Sequence, residues 1–457
     1  MQQIVLGAWL ITTPDQPAQK NHGVLIEDGR ISQIAPNNTL KEFHPDANFV
    51  DLTNCAISPG FVDAHRHCYG VLAHGIPTAN APADFWAFLN EFWWGKIEDR
   101  LDHAMLRAAM DVACYDMIRS GVTTFFDCLE APNALPGGLH AQGEVVARWG
   151  LRGMLCFEAT QRVSQANGEL GLQENIDFIK ATRGEGGMGK GMLDPSLFPL
   201  PHSPLLYGAM CHHTTFTCDD AFILKAHALA KEHNTLLHFH CSEGLYEPEQ
   251  CLKKYGHRTI EHYEQLGILD ETTMASQCVQ LSPHEVDIVG QRGIRVTTMP
   301  LSNCEVGGGF APVPEMRAAG ATVGLGTDGY VANFFASLRG AFLVHKARLL
   351  NPGTMPAHDV WQMATQHGAR AMGLEAVTGT LEVGKSADLI AIDLDVPTPI
   401  TAHNLLDQLI LWRDAVDVHS VMVAGKWLKR NYEVLNADPE MLIAKTREAA
   451  GRLWAAL

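Results

Sequence analysis

Short apolar runs recur along the middle of the chain, each followed by a longer stretch whose apolar residues fall at helical spacing. The runs predict strands at Ile57–His67, Val122–Asp127, Arg152–Glu158, Gly208–His213, Leu236–Cys241, Met274–Val279, Val296–Met299 and Thr322–Thr327. Helices are predicted between them, for example at Asp102–Arg119, Asp219–Glu232, Pro283–Gln291 and Ser337–Leu350. Strands alternating with amphipathic helices make a parallel α/β fold. About eight such units over some 310 residues is the pattern of a (β/α)8 TIM barrel, here expected to be distorted.

The two ends of the chain have a different texture. Ile4–Ile11, Gly23–Glu27, Ile31–Ile34 and Ala47–Leu52 read as short strands, with Asp28-Gly29 as a hairpin turn. Short strands return at Leu389–Ile392 and Val418–Val423. The expected division is a small β-sandwich built from residues 1–58 and 376–435, a barrel over 59–375, and a terminal helix over 436–457. The loop after the first barrel strand is long and aromatic, with Phe85, Trp86, Phe88, Phe92, Trp93 and Trp94. Loops at the C-terminal ends of barrel strands form the active-site face, so Trp86 and its neighbours either stack on a planar ligand or pack the loop against the barrel or a second subunit. The glycine-rich run Gly184–Gly191 lacks the Ser/Thr of a phosphate-binding loop and reads as a surface loop.

Composition narrows the class. Hydrophobic residues at 46% and charged residues at 19% over 457 residues are those of a globular protein with a sizeable core. A net charge of −17 argues against nucleic acid or an anionic membrane as partner and favours a small-molecule substrate. The 11 cysteines are scattered with no Cys-x-x-Cys pair, and Cys156, Cys241 and Cys278 read as buried hydrophobes in a reducing compartment. The N-terminus lacks the basic start of a signal peptide and no apolar run is long enough to span a membrane, so the expected location is cytoplasmic. A homo-oligomer remains open.

The chemistry gathers at strand ends. Leu236–Glu243 reads Leu-Leu-His-Phe-His-Cys-Ser-Glu, which puts His238 and His240 on one face with Glu243 just beyond. The first strand ends in His65-Arg66-His67, whose spacing of two lets both imidazoles share one metal. The eighth runs into Asp328, on the same parity as Gly324 and Gly326. In a barrel these ends converge, so His65, His67, His240 and Asp328 form a set suited to one divalent metal per chain, Zn2+ first and Fe2+ second. Such a metal lowers the pKa of its water to roughly 7, and Glu243 stands where it can take the proton and return it to a leaving amine, with Asp328 orienting the nucleophile. The fourth strand offers no lysine to bridge a second metal.

The segments Pro59-Gly-Phe-Val-Asp-Ala-His-Arg-His67, His238-Phe-His-Cys-Ser-Glu243, Pro300-Leu-Ser-Asn-Cys304 and Gly324-Leu-Gly-Thr-Asp-Gly329 resemble the amidohydrolase superfamily, in its cytosine/guanine deaminase and chlorohydrolase branch. Ala81–Trp94 and Met154–Thr160 look closest to the aminohydrolases associated with selenium and purine metabolism. The resemblance implies the same ligand set and proton carrier, a substrate contact at His213, and Ser302 and Asn303 near the ligand. It also exposes a departure: on the sixth strand, where the branch usually carries a histidine, Gln277 stands in Ser276-Gln277-Cys278. Glutamine can polarise or position a substrate but cannot carry a proton near neutral pH. His44, His74, His103, His140, His227 and His358 have no partner pattern and read as surface residues, and His238 either contacts a ligand or fills a layer below His240.

The expected function is a metal-dependent aminohydrolase releasing ammonia from a purine, pyrimidine, pterin or triazine. An enzyme cleaving a urea or carbamate C–N bond or a heteroaromatic C–Cl bond is the alternative, and a non-catalytic binding barrel the third reading.

Overall fold

The computed structural model describes residues 2–77, 81–185 and 203–455. Most of the glycine-rich run Gly184–Gly191 therefore lies outside the described residues.

Each predicted central strand is present, in two parallel sheets that follow chain order. The four-stranded sheet holds Phe61–Arg66, Val122–Leu129, Arg152–Phe157 and Leu206–Gly208; the five-stranded sheet holds Met210–Cys211, Leu237–Cys241, Thr273–Gln277, Arg295–Thr298 and Thr322–Leu325. The sheets meet at both edges through isolated parallel bridges, Arg66 with Asp328 and Ala159 with His212. Nearly every residue of these strands is buried, which is why they read as continuous apolar runs rather than alternating ones. Helices His103–Ser120, Asp220–Glu232 and Pro283–Arg292 begin where the side chains of Asp102, Asp219 and Ser282 accept backbone N–H groups of the first turn. Pro439–Ala455 forms the terminal helix, tied down by Trp454 Nε1 donating to the Leu72 carbonyl at 2.8 Å.

Two strands differ from expectation. Ile57–His67 breaks at Gly60: Asn48–Pro59 joins the sheet of the termini, while Phe61–Arg66 joins a parallel sheet. A Cβ at Gly60 would lie 2.1 Å from Thr123 Oγ1, so the chain can cross between sheets only with glycine there. The fourth strand is split at Ala209, its halves pairing with opposite neighbours.

The terminal segments form one mixed sheet of nine strands, in which Leu389–Asp393 from the C-terminal part lies antiparallel to Asn48–Pro59 from the N-terminal part. Asp28 and Gly29, both at positive φ (48° and 78°), make the predicted hairpin turn. That turn packs on Ala424 and Gly425, the turn between Val418–Val423 and Lys426–Arg430 further along the hydrogen-bonded order, so the sheet curls over on itself.

A buried ion pair ties this sheet to the parallel sheets. Arg152 donates to Asp388 Oδ2 through Nε at 3.1 Å and Nη2 at 3.0 Å, and to Ser386 Oγ at 2.9 Å. Arg152→Ala strands the Asp388 carboxylate, and the expected loss is about 3–5 kcal/mol of stability, read as a lower denaturation midpoint.

Candidate active site

His65, His67 and His240 bring their ring nitrogens within 4.8 Å of one another. His65 is fully buried, and among the described residues neither of its nitrogens has a hydrogen-bond partner. His67 donates from Nδ1 to the Cys128 carbonyl at 2.7 Å, which leaves a lone pair on Nε2. His240 Nδ1 lies 2.6 Å from Glu158 Oε1, a close charge contact without the alignment of a hydrogen bond. The two Nε2 atoms stand 3.2 Å apart. At that distance the pair fits either a hydrogen bond between neutral rings or a cation shared by both nitrogens, and burial, which drives the ring pKa of His240 down to about 4 and that of His65 well below the ordinary value, keeps the rings neutral and able to ligate. Asp328 Oδ1 is 3.6 Å from His67 Nε2 and supplies a carboxylate to the same point. The donor set is that of a divalent metal.

Asp328 sits at φ 62°, in the left-handed region, just past the eighth strand. Its Oδ1 accepts the Gly329 N–H at 2.8 Å and its Oδ2 accepts the Gln277 side-chain amide at 2.7 Å. Gly326 does more than clear the interior: a Cβ there would meet the His65 carbonyl oxygen at 2.6 Å, so glycine lets the eighth strand close on the first. Gln277, itself at φ 73°, accepts a hydrogen bond from the Asn303 side-chain amide. Gln277 and Asn303 thus form a hydrogen-bonded chain to Asp328 and are not among the residues lining the cavity.

The cavity above the histidines spans about 730 Å³, including its open mouth. Glu243, His213, Ser302 and Trp86 all line it. Burial, then the charges of Asp328 and Glu158, push the Glu243 carboxyl well above the usual range. His213 holds Thr217 Oγ1 through Nδ1 at 2.9 Å and turns Nε2 toward Glu158 at 3.5 Å. Trp86 stacks on Tyr246 with centroids 3.9 Å apart and planes at 11°, so the aromatic loop both packs on the sheet ends and walls the cavity.

Sequence reasoning passed over several carboxylates here. Glu158 ends the third predicted strand and touches both His240 and His213; burial raises its carboxyl to about 7. Glu98 and Glu130 also line the cavity, braced by Arg162, which donates from Nε to Glu130 at 2.7 Å and lies over the Trp94 ring. Strand-end position was the signal available for Glu130 and Glu158, and Glu98, in a turn ahead of His103–Ser120, had none. His74, set aside as a surface residue, instead reaches the Gly329 carbonyl at 3.2 Å and stacks on Tyr330. Glu158→Gln keeps the shape but weakens the brace on His240, and the expected cost is about 10–100-fold in metal affinity, measured by competition with a chelator.

Comparison with known proteins places this geometry. The Amidohydrolase family profile matches residues 56–428. A 5'-deoxyadenosine deaminase of Methanosarcina acetivorans is 31% identical over 458 residues, covering 99% of this chain and 98% of that protein. A 5-methylthioadenosine/S-adenosylhomocysteine deaminase of Moorella thermoacetica is 32% identical over 426 residues, covering 92% and 93%. Among solved structures, an adenosine deaminase from Xanthomonas campestris with bound zinc superposes with a TM-score of 0.85 at 23% identity, covering 99% of this chain and 98% of that one. The chain belongs to the amidohydrolase family.

Proposed function

We propose that this protein is a metal-dependent aminohydrolase that releases ammonia from an amino-substituted N-heterocycle, with an uncharged adenine nucleoside as the favoured substrate class. The observation that carries the reading is the cluster of His65, His67 and His240 beside Asp328, next to an aromatic cavity that His67, His240, Asp328 and Glu243 line. End-to-end similarity to proteins named as deaminases of adenosine derivatives supports the substrate class. So does the cavity wall: Glu98, Glu130, Glu158, Glu243 and Asp328 favour a neutral ligand rich in hydrogen-bond donors and disfavour a phosphorylated one.

In this reading the three histidines and Asp328 hold one Zn2+, with Fe2+ as the alternative. The ion supplies Lewis-acid activation of water near neutral pH. Glu243 takes a proton from the attacking water and delivers it to the ring amino group, so that water adds at the carbon and ammonia departs. A carboxyl whose affinity for protons is raised well above the ordinary carboxylate range suits both halves of that transfer. Trp86 and Tyr246 offer a stacked aromatic wall to the planar ring, and His213 and Ser302 offer polar contacts at its edge. Gln277 and Asn303 act through Asp328, fixing the carboxylate that orients the nucleophile.

The architecture proposed around the site is a distorted (β/α)8 barrel over residues 59–375, closed by the Arg66–Asp328 and Ala159–His212 bridges. Residues 1–58 and 376–435 form the β-sandwich, supported by the curl of the nine-stranded sheet, and the segment 436–457, with the helix Pro439–Ala455, is the third piece.

The test is an ammonia-release screen of the zinc-loaded protein over purines, adenine nucleosides, pyrimidines, pterins and triazines. The reading expects release with at least one of these rings, and release with nucleosides but not with their phosphates. Turnover of ureas or chlorinated rings with none on the amines would replace it.

A further inference from the structure

Below the histidine cluster, three cysteines and a histidine converge on one point inside the strands. Cys128, Cys156, Cys211 and His238 are all fully buried, and their sulfur and nitrogen atoms lie within 4.8 Å of one another. They come from four successive strands at one level. Cys128 stands directly opposite Cys156 in the pairing of the second and third strands, and Cys211 directly opposite His238 in the pairing of the fourth and fifth. Side chains alternate along a strand, so equal register places all four on one layer.

Three of the four donors are spaced as in a coordination shell, and Cys156 Sγ, 3.7 Å from the Asp127 carbonyl, lies within 4.8 Å of them. Cys128 Sγ is 3.8 Å from Cys211 Sγ and 3.8 Å from His238 Nδ1, and Cys211 Sγ is 3.3 Å from His238 Nδ1. A tetrahedral ion with Zn–S near 2.3 Å and Zn–N near 2.0–2.1 Å sets neighbouring donors about 3.5–3.8 Å apart. Hydrophobic packing asks for no such convergence of one imidazole nitrogen with three sulfurs. We infer that Cys128, Cys156, Cys211 and His238 form a second metal site, a closed Cys3His site for Zn2+ that is distinct from the histidine–aspartate site above it.

The second site accounts for His238, which the hydrolytic reading leaves unused, and it extends the expectation of one metal per chain to two. With four protein ligands it keeps no open position, so its role is structural, clamping the second to fifth strands from within. It also adjoins the upper site. The backbone carbonyl of Cys128 holds His67 Nδ1, and the His238 ring stacks on His65 at 5.2 Å. Three thiolates and a neutral imidazole leave a zinc ion with one net negative charge. Three neutral imidazoles and one carboxylate leave the upper ion with one net positive charge. The two centres compensate each other in a buried environment.

The test is metal analysis and zinc X-ray absorption on the full-length protein, produced with added zinc and purified without chelator. The expected result is two zinc ions per chain and a sulfur shell near 2.3 Å, averaging about 1.5 sulfurs per zinc. Cys211→Ser should lose one equivalent and lower the sulfur count. Should that variant fail to fold, Co2+ loading of the unaltered protein decides, through thiolate-to-cobalt charge-transfer bands. One zinc per chain with only nitrogen and oxygen neighbours, or disulfide-bonded cysteines in place of a sulfur shell, overturns the inference. It does not rest on the deaminase reading: a protein inactive on every amine but carrying sulfur-ligated zinc still upholds it.

Discussion

Glu243→Gln is expected to lower kcat by about 10²–10⁴-fold while leaving the metal content of the protein unchanged. The substitution preserves size and hydrogen-bonding shape but removes the only function proposed for this side chain, carrying a proton between water and the leaving amine. Glu243 is not among the clustered metal-type donors, so the variant should bind zinc as the parent does. It sits on the cavity wall without closing it, so KM should change far less than kcat. A parallel loss of zinc would reassign Glu243 as a ligand, and an unchanged kcat would remove it from the reaction.

His240→Ala is expected to empty the upper site and abolish turnover, a loss of more than about 10³-fold given the several kcal/mol that a catalytic ion contributes. The change removes one of two facing Nε2 donors and also leaves Glu158 without the imidazole 2.6 Å away. Added zinc should not restore activity, because the brace and the ligand are lost together. Metal analysis of the same sample separates the two centres: the variant should lose one equivalent and keep the sulfur-ligated one.

The contrast between these residues and those passed over shows what a sequence can carry. His65, His67 and His240 stand on buried strands, where alternation assigns each side chain a face and an apolar run fixes where the strand ends. An imidazole on such a face needs a reason, and the joint placement of these residues at several strand ends pointed to a metal. Glu158 ends its strand in the same way, yet a single carboxylate after an apolar run resembles any strand terminus. Only the fold brings it to His240 and His213. Gln277 was expected near substrate because it stands where the resembling branch carries a histidine; its hydrogen bond to Asp328 had no signal in the sequence. Cys156 read as a small hydrophobe because its partners lie on other strands, and cross-strand register is set by pairing that no local spacing reveals. The break at Gly60 has the same character: the glycine is visible, but the Thr123 side chain that requires it is not.

The most direct test of the account follows the atoms. With the zinc-loaded protein and its best amine substrate in 18O-labelled water, ammonia and the hydroxylated or keto ring should appear in equal amounts, with solvent oxygen at the former amino carbon. Glu243→Gln should suppress both products together. Release of chloride or a carbamate fragment with the ring amine retained, or an oxygen not drawn from solvent, would contradict hydrolytic deamination at this site.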